Sequence, residues 1–144
     1  MGQSVIRATY HQVHLVPFDV IALYPSSPWD ENAVAVQGTD PASVIIQTGI
    51  ASGPVTVNYA EGPPSDEHAR LIEHGWETTQ LTIPVDDTLL VCSPERDEGH
   101  EVFEPDAPGP HHVLVAAKGR DGHRDLTVFS PVEEYLILIW PAAS

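Results

Sequence analysis

Apolar and polar positions alternate along most of this chain with period two, the repeat of a strand, rather than with the 3.6-residue period of a helix. Residues 54–60 set Val55, Val57 and Tyr59 on one face and Thr56 and Asn58 on the other. That is the signature of an antiparallel strand with one buried and one wet face. Residues 76–85 alternate Trp76, Thr78, Gln80 and Thr82 with Glu77, Thr79, Leu81 and Ile83, a composition that suits a pleated surface. In residues 111–118, Val113, Val115 and Ala117 oppose Leu114 and Ala116. Residues 133–140 are apolar on both faces, Tyr135, Ile137 and Ile139 against Leu136, Leu138 and Trp140, which predicts a strand at the centre of a sheet.

Shorter apolar runs predict further strands. Residues 4–16 read as one strand, bulged where the alternation slips. Residues 43–48 and 54–60 read as the arms of a hairpin joined across residues 49–53, and 88–92 and 33–36 as short strands, the latter at an edge. Val20, Ile21 and Leu23 suggest one more, before a turn at residues 26–30 that presents Trp29. Ser65-Asp66-Glu67-His68, ahead of Ala69, Leu71 and Ile72, fits a short helix near residues 65–74 ended by Gly75, or else a bulged loop. Residues 93–110, rich in Glu, Asp, Gly and Pro with only Val102 and Phe103 for a core, read as the largest loop.

Fourteen prolines and ten glycines punctuate the chain too often for long helices. The expected fold is all-β: an antiparallel β-sandwich of about seven to nine short strands, with a small barrel as the neighbouring solution. At 144 residues one domain, 1–144, is expected. A hydrophobic content of 42%, with three Trp, separates it from a disordered acidic tail.

Charge changes the picture most. Twenty-one Asp and Glu face six Lys and Arg, a formal net charge of −15, and thirteen of those carboxylates but only Arg70 and Arg96 fall between Glu61 and Asp106. Such a field repels phosphate backbones and anionic membranes and attracts cationic surfaces. The expected partner is a basic protein, not nucleic acid or membrane. The patch formed by Lys118, Arg120 and Arg124 is broken by Asp121 and Asp125, which disfavours nucleic-acid binding. The N-terminal residues lack the cationic and apolar regions of a secretion signal, so the cytoplasm is the expected location.

No constellation names a reaction. There is no Gly-x-Ser-x-Gly elbow and no phosphate-cradling Gly-rich loop with a lysine. Cys92, the only cysteine, sits among Leu89, Leu90 and Val91 as a buried thiol would. Asp86-Asp87 and Glu133-Glu134 are adjacent carboxylates whose side chains diverge on a strand, so each pair should offer one solvated group and one inward group. Of the eight histidines, His11 and His14 point to opposite faces of a strand, as do His111 and His112. Neither a metal site nor a cofactor is expected, and the chain reads as a binding protein rather than an enzyme.

Tyr10-His11-Gln12, the strand opening Trp76-Glu77, the Pro108-Gly109-Pro110 turn into residues 111–118, and the closing Glu134-Tyr135-Leu136-Ile137-Leu138-Ile139-Trp140-Pro141 together resemble the competence protein J family. The resemblance implies a small acidic β-sandwich that binds and inhibits a competence-associated nuclease. No motif of that family singles out inhibitory residues to carry across.

Charge leads to the same place by a separate route. A nuclease presents a cationic groove to DNA, and an inhibitor can offer carboxylates where phosphates would lie. The expected steering set is Glu95, Asp97, Glu98, Glu101, Glu104 and Asp106, with Phe103 and Trp29 as candidate anchors. Two other classes fit the composition: a β-sandwich that binds a small molecule or metal cation through residues 93–112, and a structural or oligomerisation domain whose charge only solubilises it.

Overall fold

The computed structural model describes residues 2–20, 25, 33–95 and 99–142. Among these the chain runs β1 (Gly2–Ala8), β2 (Gln12–Pro17), β3 (Ala35–Gln37), β4 (Val44–Gln47), β5 (Gly53–Glu61), α1 (Asp66–Glu73), β6 (Glu77–Val85), β7 (Leu89–Cys92), β8 (Gly99–Phe103), β9 (Gly109–Lys118) and β10 (Glu134–Pro141). The strands form two five-stranded sheets, β1-β5-β10-β9-β6 and β3-β4-β2-β7-β8, stacked as a sandwich and not closed into a barrel. Every pairing is antiparallel except β5 with β10, which run parallel with Tyr135 opposite Val57.

The doubly apolar β10 lies at the middle of its sheet, and both of its faces are covered. Tyr135, Ile137 and Ile139 point into the main core with Val113, Val115, Val55 and Val57, where they meet Leu15, Val44, Leu89 and Val91 of the other sheet. Leu136 and Leu138 pack outward with Leu114 and Ala116, beneath Ile72 of α1 and the neighbouring Trp76. The helix is the short one expected. The Ser65 hydroxyl accepts the His68 N–H and the His68 ring accepts the Ser65 N–H, both at 3.2 Å, a reciprocal cap that satisfies two orphan donors.

The structure corrects four of the sequence expectations. Residues 4–16 are not one strand: the chain leaves β1 through a tight turn, Thr9 and Gln12 exchanging backbone bonds of 3.2 and 2.9 Å, and enters β2 in the opposite sheet. Nor do residues 43–48 and 54–60 form a hairpin, since β4 pairs with β2 and β3 while β5 pairs with β1 and β10. The reason lies in the link between them. The Gly49 and Ile50 N–H groups donate to the buried Glu133 carboxylate at 3.0 and 2.7 Å, and Ile50 is fully buried, so the segment crosses between the sheets instead of reversing within one.

The third correction concerns residues 93–110, which contain the edge strand β8, paired with β7 through Val91 opposite His100 and Leu90 opposite Glu101. Its outward polar residues hide the strand in composition, while Val102 and Phe103 enter the core. The fourth is that Asp86 and Asp87 are both exposed, so only Glu133-Glu134 divides into a buried and a half-buried carboxylate. Cys92 is buried on the outer face of the second sheet with Val16, Val36 and Ile45. The suggested strand at Val20, Ile21 and Leu23 and the turn at 26–30 lie largely or wholly outside the described residues.

Candidate partner-binding surface

β8 closes one side of its sheet, hydrogen-bonded to β7 on one flank, with no strand among the described residues paired on the other. Five residues at about 3.3 Å each make an edge about 17 Å long. Glu101 stands exposed on it, Glu104 and Asp106 follow beyond one end, and Glu95 precedes the other. The Thr9 hydroxyl donates its one proton to the Glu95 carboxylate, whose two oxygens both lie 2.7 Å away, and this ties Glu95 to the β1–β2 turn. Of the expected steering residues that are described, Glu101 lies on β8 itself and Glu95, Glu104 and Asp106 lie on the segments that flank it. Asp97, Glu98 and Trp29 lie outside the described residues.

Phe103 was expected as an anchor, but it is 7% exposed and sits with its ring edge-on to His111, centroids 5.3 Å apart, inside the core. A side chain held there contributes to packing between the sheets and offers little to a partner. It forms part of the floor of a cleft of about 640 Å³, together with Trp140 and Pro110, under a rim that includes Glu61, Glu104 and Asp106. His112 leaves the opposite face of β9, bonds the Thr82 hydroxyl at 2.9 Å and lies 5.5 Å from the Trp140 ring. Among the described residues no three His, Cys, Asp or Glu side chains converge as a metal site would require.

The opposite pole holds features that the sequence reading missed. Tyr10 and His11, at the centre of the β1–β2 turn, have φ of 52° and 62°, and Asp125 has φ of 64°; these are the only non-glycine residues with positive φ among those described. A turn with two such central residues ordinarily recruits Asn or Gly, and a bulky residue there carries a cost of about 1–3 kcal/mol. All three line one cavity of about 500 Å³. His11 N–H donates to the Ala51 carbonyl at 3.1 Å, Ala51 N–H to Leu126 at 2.8 Å, Asp125 N–H to Gly49 at 2.8 Å and Val128 N–H to Ser52 at 3.0 Å. The β1–β2 turn and residues 123–129 are thus clamped onto the same crossover segment. Three large apolar side chains project from this framework: Tyr10 is 78% exposed, Leu126 54% and Phe129 92%.

A polar system underlies that pole. Glu133, buried, takes the two backbone N–H groups of the crossover and the Tyr135 hydroxyl. Burial, reinforced by the Glu133 charge and hydrogen bond, pushes the Tyr135 phenol well above its ordinary range. Arg120, 4% exposed, donates to Glu77 at 2.9 Å and to the Ala33 carbonyl at 3.4 Å. Its Nε is the one buried side-chain polar atom without a partner among the described residues. Arg124 donates to Asp121 at 2.7 Å, and that hydrogen bond holds the Asp121 carboxyl below the ordinary carboxylate range. Arg120 and Arg124 are thus each paired with a carboxylate, one on β6 and one within the turn.

No protein-family model and no curated protein matches the sequence. Solved structures do match the fold. One is the crystal structure of ComJ from Bacillus subtilis, an inhibitor of the DNA degrading activity of NucA, at 12% identity and a TM-score of 0.54, covering 99% of this chain and 96% of that one. Another is a protein described as crocagin biosynthetic gene J, at 15% identity and a TM-score of 0.50, covering 99% of this chain and 100% of that one. Across nearly its whole length, therefore, this chain has the β-sandwich fold of the nuclease inhibitor ComJ.

Proposed function

We propose that this protein is an acidic inhibitor that binds a basic enzyme, a nuclease or toxin-like enzyme, and covers the groove through which that enzyme engages its substrate. The observation that carries the reading is the row of exposed carboxylates Glu95, Glu101, Glu104 and Asp106 on and beside the edge strand β8, in a chain of net charge −15. Exposed carboxylates of one sign on and beside an edge strand steer a cationic groove toward them. Asp97 and Glu98, between Glu95 and β8 in the sequence, belong to the same steering set. The fold shared with ComJ supports the inhibitor class.

We place the encounter in the cytoplasm. The single buried thiol suits a reducing compartment, and no helix among the described residues is long and apolar enough to cross a membrane.

The test is affinity capture from the source organism with the wild-type protein and with a variant carrying Glu95→Lys, Glu101→Lys, Glu104→Lys and Asp106→Lys, read by quantitative mass spectrometry. The proposal expects a basic enzyme enriched on the wild type alone, its activity falling as purified wild-type protein is added. Equal capture by both baits, or no basic protein on either, contradicts it and turns attention to the cleft floored by Phe103 and Trp140 as a small-molecule site.

A further inference from the structure

Long-range charge brings partners together faster, but affinity usually resides in a few aromatic or aliphatic side chains that become dry on binding. Phe103 is occupied inside the core, so the anchor must be sought among exposed side chains. The described residues include five large exposed hydrophobics, Val5, Tyr10, Phe18, Leu126 and Phe129. Three of them stand on the one pole where two loops are clamped to the crossover and where, among the described residues, every non-glycine positive φ occurs. Strain retained in a well-bonded framework is commonly strain used to present side chains.

Charge around this patch complements a basic partner. Glu95 touches the turn through Thr9, and Asp121 and Asp125 project with side chains 83% and 77% exposed. Arg124 is held by Asp121 and His11 lies 3.4 Å from Asp125, so Glu95, Asp121 and Asp125 together outnumber Arg124 and leave a surplus of negative charge here. The Thr9–Glu95 contact ties the first carboxylate of the β8 set to the turn that carries Tyr10.

We infer that Tyr10, Leu126 and Phe129 form the affinity anchor of this surface, seated against an apolar patch ringed by Lys or Arg on the same basic enzyme that the β8 carboxylates steer. The inference rests on the inhibitor reading and assigns a second, separable part of the interface. Steering charges act on the association rate; anchors act on dissociation.

Two measurements test it. In the first, Phe129 is replaced by photo-reactive p-benzoylphenylalanine, and the crosslinked product is compared with the enzyme captured through the carboxylate row. In the second, dissociation of that enzyme is timed from the wild type and from Phe129→Ala, Tyr10→Asn and the opposite-pole control Phe18→Ala. Asn tolerates a left-handed backbone, so the Tyr10 variant keeps its turn. The expected result is a crosslink to the same basic enzyme, with dissociation faster by roughly tenfold or more for the two anchor variants, association within about threefold of wild type, and no change for Phe18→Ala.

Capture through the row with no crosslink at 129 and unchanged dissociation overturns the anchor and leaves the inhibitor reading standing. A crosslink to the basic enzyme that persists after the row is reversed keeps the anchor and removes steering by β8. A crosslink only to an acidic protein or to a second copy of this chain, or no product in either experiment, overturns the anchor as proposed.

Discussion

At the scale of single residues, the side chain with most structural consequence is Glu133, a buried carboxylate that fixes the sheet-to-sheet crossover through Gly49 and Ile50. Glu133→Gln leaves an amide NH₂ facing backbone donors, and an unsatisfied buried group costs about 1–3 kcal/mol. Urea unfolding should show a loss of about 3 kcal/mol at neutral pH; a loss below about 0.5 kcal/mol would contradict the assigned role. Tyr135 supplies a pH signature. Its phenol is raised above the ordinary value of 10.0, so the stability it contributes is present below about pH 10 and is lost as pH climbs above it. Unfolding measured from pH 8 to 11 should fall off for the wild type and be flatter for Tyr135→Phe. The Glu133-Glu134 doublet was legible as one inward and one outward carboxylate from strand geometry alone. What Glu133 bonds was not, because its two backbone donors, Gly49 and Ile50, lie more than eighty residues away along the chain.

At the scale of elements, alternation located β5, β6, β9 and β10, and the doubly apolar face placed β10 at the centre of its sheet. Pairing was less legible. A hairpin and a sheet-to-sheet crossover both show two apolar runs separated by glycine, and the distinction rests on Glu133 and on a steric limit at Gly49. A Cβ there would lie 2.7 Å from the Arg120 carbonyl carbon. Gly49→Ala should therefore cost about 3 kcal/mol or prevent folding, as overpacking against fixed backbone does, read as the urea midpoint or soluble yield. β8 was hidden by its own polarity. Charge on an open edge also prevents self-pairing, so Glu101→Val with Glu104→Thr should promote association of this protein with itself, visible in light scattering. A variant that stays monomeric at high concentration would argue that the edge is guarded by something other than its carboxylates.

At the scale of the whole molecule, composition conveyed the field and the fold class, while the arrangement of that field needed the structure. The described residues put Glu101 on an edge strand and Phe103 in the core, while Tyr10, Leu126 and Phe129, which we propose as anchors, are exposed; Trp29 lies outside the described residues. In the sequence Tyr10 stood out only within a family resemblance, and its positive φ was not legible because tertiary bonding imposes a turn that local propensity does not favour. Tyr10→Asn should relieve about 1 kcal/mol of that strain and raise thermal stability while weakening the partner complex, a trade between stability and function.

The most direct measurement of the central claim is the association rate of the captured basic enzyme with this protein as salt is raised from low ionic strength to about 0.5 M, where screening shortens the Debye length from tens of ångströms to a few. The account predicts a fall of roughly tenfold or more for the wild type, and a slow, nearly salt-independent rate when Glu95, Glu101, Glu104 and Asp106 are reversed to Lys. A wild-type rate indifferent to salt, or a reversed variant that associates equally fast, would contradict electrostatic steering along β8.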